Sequence, residues 1–191
     1  MKMQWKKWTY PLSWIIAVLL CAAGMALGYE LGSETAGFLG GEPGIGARLG
    51  KGFVWGAVMA GLQWPVVRFV GVRPLIFIAA SAVGLAIGYP VGQTIQSIFV
   101  QQWSFHWMGY WLAVATFGLF LSLPQWLIFL RHLKRPGLWI LFSVGAWMVS
   151  GAVWSGPRID VLDSVLYGLV AGSGLVWLSR SQRPQVPAGT S

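Results

Sequence analysis

Residues 12–28, LSWIIAVLLCAAGMALG, contain no charged side chain, and charges of opposite sign flank the segment. Lys6 and Lys7 precede it, whereas Glu30 and Glu34 follow it. An apolar segment of about this length lets a helix cross a hydrocarbon core about 30 Å thick. A basic flank is typical of the cytoplasmic side of a membrane. The segment therefore predicts a spanning helix that starts in the cytoplasm.

The same alternation of charge continues along the whole chain. All five acidic residues lie in two stretches: Glu30, Glu34, Glu42, Asp160 and Asp163. Most of the 13 basic residues lie in four other stretches: Lys2, Lys6, Lys7, Arg68, Arg73, Arg131, Lys134, Arg135, Arg180 and Arg183. Apolar segments separate these stretches, so each segment changes side. The pattern predicts six spans with both termini in the cytoplasm.

Composition is typical of a membrane protein. The 191 residues are 56% hydrophobic and 9% charged, whereas soluble domains have about 25% charged residues. The net charge of +8 comes largely from basic residues beside the spans, where they set topology and attract anionic lipid. We therefore expect membrane lipids as partners and no nucleic acid. Cys21, the single cysteine, lies inside the first apolar segment.

The predicted spans have boundaries good to a few residues: Leu12–Gly28, Gly52–Val67, Leu75–Gly92, Met108–Leu130, Leu138–Trp154 and Val165–Leu178. Outer loops are predicted over Tyr29–Lys51 and Gln93–Trp107. Residues 1–180 are predicted to form one six-helix transmembrane domain. Residues 181–191, with two prolines and few apolar residues, are predicted to be a flexible tail.

The chain repeats a motif in its even-numbered spans. The motif is a glycine, a small residue four positions later, and then a glutamine followed directly by a tryptophan. It occurs in Gly56–Trp64 and again in Gly118–Trp126. A third copy keeps Gly168 and Gly172 but has Leu175 where glutamine would fall. We interpret the chain as three parallel-repeat helical hairpins, at approximately residues 10–70, 71–134 and 135–180.

The odd-numbered spans repeat as well. Gly24, Gly28 and Tyr29 are matched by Gly84, Gly88 and Tyr89 in the third span, and Ala146 with Ser150 follows in the fifth. Small residues four positions apart let helix backbones approach closely in lipid. We expect eight glycines to pack against neighbouring helices: Gly24, Gly28, Gly56, Gly84, Gly88, Gly118, Gly168 and Gly172. The alternative is a small-residue lining that leaves room for a ligand.

Gln63 and Gln125 are the strongest polar features inside the predicted spans. A carboxamide in hydrocarbon needs a partner, and such interhelical hydrogen bonds contribute about 0.6–2 kcal/mol. The two amides can serve as packing groups that bond each other or a free backbone carbonyl. Alternatively, with Trp64 and Trp126, they bind a lipid head group, a quinone or a pigment carbonyl. We favour packing, and no cofactor can be named.

Most of the 13 tryptophans lie near the ends of the predicted spans, where an amphipathic ring suits the membrane interface. Four lie deeper and are candidates for packing against a flat ligand: Trp55, Trp64, Trp126 and Trp147.

Catalytic constellations are nearly absent, so we expect neither an enzyme nor a metal site. His106 and His132 are predicted on opposite sides of the membrane, so they cannot share a metal ion. No Asp, Glu, Lys, Arg or His lies at mid-span, which argues against proton coupling. The outer charges, Lys51 and Glu42 among them, are predicted to form a solvated rim. A carboxylate metal site or a general-acid site is the alternative.

The repeated hairpin motif, in Gly56–Arg68 and Gly118–Arg131, resembles a group of small polytopic membrane proteins of cyanobacteria and other photosynthetic or filamentous bacteria. The resemblance covers most of residues 10–180, and the third hairpin departs from it by lacking glutamine. It implies a multi-pass protein of the bacterial cytoplasmic membrane or a photosynthetic membrane. It brings no catalytic residue with it.

Three functions remain open at this point. We favour an accessory or scaffolding membrane protein that binds lipid, pigment, a larger membrane complex or further copies of itself. A small transporter, channel or substrate-binding component without proton coupling is the second reading. A membrane enzyme acting on lipid is the third, and it lacks a visible nucleophile–base pair.

Overall fold

The computed structural model describes residues 10–42, 44–103, 106–152 and 161–180. Within these ranges the chain is helical and contains no β-strand, which confirms the prediction of an all-helical protein. The α-helices are α1 (Tyr10–Phe38), α2 (Ile45–Val67), α3 (Pro74–Trp103), α4 (His106–Phe129), α5 (Leu138–Gly151) and α6 (Val161–Ser179). The predicted tail, the N-terminal lysines and Asp160 lie outside the described residues.

Four of these helices are long and apolar enough to cross a membrane: Leu12–Phe38, Pro74–Gln102, His106–Phe129 and Val161–Ser179. The chain is therefore a multi-pass membrane protein. The helix α2 has 23 residues but carries Arg48 and Lys51. The helix α5 has 14 residues, about 21 Å at 1.5 Å per residue. The count of six spans stays a prediction.

The prediction was wrong about the two long outer loops. The helix α1 continues beyond Gly28 to Phe38, and α2 already begins at Ile45. Similarly, α3 continues through most of the loop predicted over Gln93–Trp107. An apolar window marks the part of a helix suited to hydrocarbon, whereas the helix itself continues until a residue stops it.

A pair of glycines stops α1. Gly40 and Gly41 have φ angles of 95° and 77°, which residues other than glycine rarely adopt. The Gly41 N–H donates to the Ala36 carbonyl at 2.8 Å, and the Gly40 N–H donates to the Gly37 carbonyl at 3.2 Å. These are the two bonds of a Schellman cap. The cap leaves Glu42 in the short turn before α2.

The helices form a closed ring, in which each helix packs against its chain neighbours and α6 packs against α1. Neighbouring helices are antiparallel, since Gly24 lies beside Met59 and Gly28 lies beside Trp55. At the α1–α6 contact the Trp14 indole donates to the Ser173 hydroxyl at 2.9 Å. We call the end with the α1–α2 turn the Lys51 end, and the opposite end the Arg68 end.

The eight glycines expected to mediate packing all lie against neighbouring helices. A Cβ atom at Gly56 would lie 2.5 Å from the Ser81 carbonyl oxygen, and one at Gly168 would lie 2.5 Å from the Val18 carbonyl oxygen. The other contacts are Gly24 with Met59, Gly28 with Trp55, Gly84 and Gly88 with Phe120, Gly118 with Val144, and Gly172 with Val18. At seven of these glycines a backbone atom of the neighbouring helix lies within 3.1 Å of the Cβ position, whereas at Gly88 the obstacle is the Phe120 side chain, at 2.6 Å.

Candidate functional site

The centre of the ring is filled by six buried aromatic rings, one from each helix. We call them the axial cluster: Tyr29, Trp55, Tyr89, Phe117, Trp147 and Tyr167. Trp55 is its hub, with ring centroids 5.0 Å from Trp147, 5.2 Å from Tyr29 and 6.1 Å from Tyr89. Trp147 in turn lies 5.7 Å from Tyr167. The cluster thus ties all six helices together at one place.

The axial cluster occupies fixed positions relative to the repeated glycines. Trp55, Phe117 and Tyr167 each come directly before the glycine that starts the motif in α2, α4 and α6. Tyr29 and Tyr89 each come directly after the second glycine of the matched pair in α1 and α3. The repeat already matched Tyr29 with Tyr89, and Trp55 and Trp147 were expected deep in their spans, but the sequence did not predict that the six rings meet in one cluster.

A buried lysine lies above this cluster, at the Lys51 end. Lys51 is 6% exposed, and its ammonium lies 4.4 Å from the ring centroid of Tyr29 and 5.1 Å from that of Tyr89. Ring faces attract a cation, and the attraction strengthens when water is excluded. A Cβ at Gly32 would lie 2.7 Å from the Lys51 carbonyl oxygen, so α1 can approach α2 closely here.

Glu42 completes this group, which we call the Lys51 site: Tyr29, Glu42, Lys51 and Tyr89. The Lys51 ammonium lies 3.3 Å from Glu42 Oε1. The Tyr89 hydroxyl donates to the same oxygen at 2.9 Å. One carboxylate oxygen therefore receives bonds from α2 and α3 together. The expected solvated rim is wrong for Lys51, because its aliphatic stem and its charge are both covered by protein.

Two further ionisable groups lie at this end. Arg48 is on α2, one turn before Lys51, and its charge acts on the Tyr89 hydroxyl. Within the described part of the chain, the buried Arg48 Nε has no hydrogen-bond partner. Asp163 is buried in the first turn of α6, and it acts electrostatically on Tyr110.

Gln125 is fully buried near the Arg68 end and joins three helices. Its Nε2 donates to the Ser81 hydroxyl on α3 at 2.7 Å. Its Oε1 accepts from the Trp139 indole on α5 at 2.6 Å. The Ser81 hydroxyl in turn donates a hydrogen bond to the Phe77 carbonyl at 2.7 Å. Both ends of this carboxamide are thus used inside the bundle.

Gln63 is fully buried too, but its bonds are poorer. Its Nε2 donates to the Tyr167 hydroxyl at a long 3.4 Å, and its carboxamide also interacts with the Cys21 thiol. Among the described residues, Gln63 Oε1 has no hydrogen-bond partner.

The repeat explains this asymmetry between the glutamines. Phe77 in α3 and Trp139 in α5 each come four residues after the matching Arg-Pro pair begins, at Arg73 and Arg135. The Trp139 indole N–H donates to Gln125, whereas the phenyl side chain of Phe77 has no N–H that could donate to Gln63. The Gln63 oxygen therefore lacks the donor that its counterpart receives.

Trp64 and Trp126 differ from the glutamines beside them. Both rings are half-buried rather than buried, because successive residues of a helix point about 100° apart. Within the described ranges, the buried Trp64 indole N–H has no partner.

A small cavity lies next to the axial cluster at the Lys51 end. Its volume of about 10 Å³ is bounded by Met25, Trp55, Tyr110, Val114, Trp147, Ser150 and Gly151. A cavity of roughly 10–15 Å³ holds one water molecule. The Trp147 indole N–H has no partner among the described residues. In the repeat, Gly151 comes directly after Ser150 in α5, just as Tyr89 comes directly after Gly88 in α3. The third hairpin therefore has a glycine where the second has a tyrosine ring.

Metal-binding groups of three or more His, Cys, Asp or Glu side chains do not occur among the described residues. His106 is exposed and His132 is half-buried. Comparison of the chain with protein families, curated proteins and solved structures finds no match.

Proposed function

We propose that this chain is an accessory or scaffolding integral membrane protein whose centre is sealed. The axial cluster carries this proposal, because a ring from every helix closes the space between the helices towards the Lys51 end. Transporters built from repeats bind substrate near the membrane midplane, at the interface between the repeats, and a substrate held there would have to pass these rings. The cavity of about 10 Å³ beside Trp147 has room for one water molecule and no organic substrate.

The outward faces of the helices supply the surface for partners. On α1, Leu19 and Leu27 are exposed, and on α3, Ile76, Val83 and Ile87 are exposed. Apolar side chains on the outside of a membrane bundle face lipid or the helices of another protein. The proposed partners are therefore membrane lipids, a pigment, a larger membrane complex or further copies of this chain.

We also propose that all six helices span a bacterial cytoplasmic membrane, with both termini and the Arg68 end in the cytoplasm. Six exposed basic residues lie at that end: Arg68, Arg73, Arg131, Lys134, Arg135 and Arg180. The described acidic residues lie at the Lys51 end: Glu30, Glu34, Glu42 and Asp163. This asymmetry supports the orientation through the preference of Lys and Arg for cytoplasmic loops.

The second candidate is a small transporter without proton coupling. Gln63 favours it, since a buried carboxamide oxygen without a partner in the described residues is a potential ligand for a substrate N–H or O–H group. This function would require the axial cluster to open, because the rings lie between Gln63 and the Lys51 end.

Purification in a gentle detergent, with mass spectrometry of everything that co-migrates, tests the favoured function. We expect one lipid, pigment or protein subunit to remain with the chain at a fixed stoichiometry. A control is the same chain after exchange into a harsh detergent, which should lose that species. A chain that purifies alone under both conditions would contradict an accessory role.

A further inference from the structure

We propose that the Lys51 site binds an oxyanion, and that Glu42 is an internal carboxylate which an external carboxylate or phosphate group displaces. The site shares Tyr29 and Tyr89 with the axial cluster, but its charged groups, Lys51 and Glu42, are not part of that cluster. An anion can bind these charged groups whether or not the centre of the bundle is sealed, so the proposal does not depend on the proposed function.

The charges at this site favour an added anion. Lys51 and Arg48 are cations on successive turns of α2, and Glu42 is the carboxylate that pairs with Lys51. In the described part of the chain, Arg48 makes no ion pair, and its buried Nε has no acceptor. Lys51, Arg48 and Glu42 together carry one net positive charge, and rings and helix backbone cover the Lys51 ammonium. Glu30, Glu34 and Asp163 lie at the same end of the bundle, but in the described part of the chain none of them forms an ion pair with Lys51 or Arg48. Charges act more strongly where water is excluded.

The donors of the site are held independently of Glu42. Lys51 lies inside α2, where the faces of Tyr29 and Tyr89 fix its ammonium. Tyr89 lies inside α3 and is buried. Both donors point at one oxygen atom, 3.3 Å from the ammonium and 2.9 Å from the hydroxyl oxygen. A carboxylate or phosphate oxygen in that position would receive the same two bonds.

Glu42, in contrast, is held weakly by its own backbone. Its side chain is 35% exposed, and it lies in the turn between α1 and α2. Gly40 and Gly41 precede it with positive φ angles, and the nearby bond from the Gly44 N–H to the Gly41 carbonyl is long at 3.4 Å. Moving Glu42 therefore breaks few bonds and leaves both donors in place.

The ligand class follows from these contacts. One anionic oxygen would accept from the ammonium and the hydroxyl, and the charge of Arg48, which already acts on the Tyr89 hydroxyl, would attract the rest of the same group. Carboxylates and phosphates both supply two such oxygens, and guanidinium groups bind them well. The group can belong to a soluble anion or to the head group of an anionic lipid at the membrane surface.

The test compares Glu42→Gln with Glu34→Gln in the purified full chain in mild detergent. Glu34 is exposed on α1 at the same end, so its variant controls for the loss of one negative charge. Calorimetric titration with inorganic phosphate should give Glu42→Gln an affinity about tenfold above wild type, because the internal competitor is gone. Glu34→Gln should stay within about twofold of wild type. In Glu42→Gln/Lys51→Met the gain should be lost.

A second arm identifies the source of the anion. Thermal unfolding of Glu42→Gln is measured in nanodiscs of phosphatidylcholine, with or without phosphatidylglycerol, and with or without phosphate. If phosphatidylglycerol raises the unfolding temperature and phosphate does not raise it further, the anion is a lipid head group. If phosphate raises the unfolding temperature in both kinds of nanodisc, the anion is a soluble one. Both results support the site.

The proposal would be overturned if Glu42→Gln binds phosphate and phosphatidylglycerol no more tightly than Glu34→Gln does. If Glu42→Gln is too unstable to purify, Arg48→Gln is measured against wild type, since it leaves the Lys51–Glu42 pair intact. An unchanged phosphate affinity in that variant would also overturn the proposal, and a weakening of about threefold or more would support it.

Discussion

At the scale of the residue, Gln63 and Gln125 have the same place in the repeated motif but different bonds. Gln125 donates to Ser81 and accepts from Trp139, whereas Gln63 has one long bond to Tyr167 and a contact with the Cys21 thiol. The sequence predicted that both amides need partners. It could not predict which one is fully satisfied, because that depends on Phe77 and Trp139 on other helices.

This difference predicts unequal effects of the same substitution. Gln125→Leu should lower the free energy of unfolding by about 1–3 kcal/mol, because the buried Trp139 N–H loses its acceptor. Gln63→Leu should change it by less than about 0.5 kcal/mol, since it removes a long bond to Tyr167, a weak contact with the Cys21 thiol and an unsatisfied oxygen. Leu175 already occupies the matching position in α6. Thermal and denaturant unfolding in detergent measure both; equal destabilisation would contradict the asymmetry.

The Lys51 site was missed at the sequence level for a physical reason. Its groups come from α1, α2, α3 and the α1–α2 turn, and no local pattern brings Glu42 to Tyr89. The available clue was the tyrosine that follows the second glycine in both α1 and α3. These two tyrosines belong to α1 and α3, and Lys51 lies on α2, the helix between them. A lysine in that place is a candidate for burial between the two rings.

At the scale of the element, apolar windows predicted where helices lie better than where they end. The windows located all six described helices, yet α1 and α3 extend well past them. Outside hydrocarbon, a helix can continue on its own hydrogen bonds until a residue takes a non-helical conformation, as Gly40 and Gly41 do after α1. The glycine pair after Phe38 was visible in the sequence, and it gives the true end of α1.

Close helix contact at Gly56 leads to a second prediction. Gly56→Ala should destabilise the bundle by about 1–3 kcal/mol, because its Cβ would press against the Ser81 backbone. Gly61→Ala on the same helix is the matched control, since a Cβ there meets no described atom within 4 Å. It should be neutral or stabilise by up to about 1 kcal/mol. Chemical denaturation in detergent compares the two, and equal effects would show that the α2–α3 contact is loose.

At the scale of the whole molecule, the proposed orientation predicts a labelling pattern. Cysteine at Phe38, which is 91% exposed at the Lys51 end, should react with an impermeant maleimide in intact cells. Cysteine at Ser181, directly after Arg180, should react only after the cells are permeabilised. The opposite pattern would reverse the topology, and labelling of both sites in intact cells would mean an even number of spans between them, in place of the five proposed. Native Cys21 is buried and should stay unlabelled.

The sealed centre is the central claim, and solute flux through the reconstituted protein tests it most directly. The full chain is placed in liposomes loaded with radiolabelled ions, sugars and amino acids, beside protein-free liposomes. Trp55→Ala, which removes the hub of the axial cluster, serves as the opened comparison. We expect wild-type liposomes to release solute no faster than protein-free ones, and Trp55→Ala liposomes to leak faster if the variant remains folded. Saturable, solute-specific uptake by the wild-type protein would contradict the sealed centre and favour a transporter.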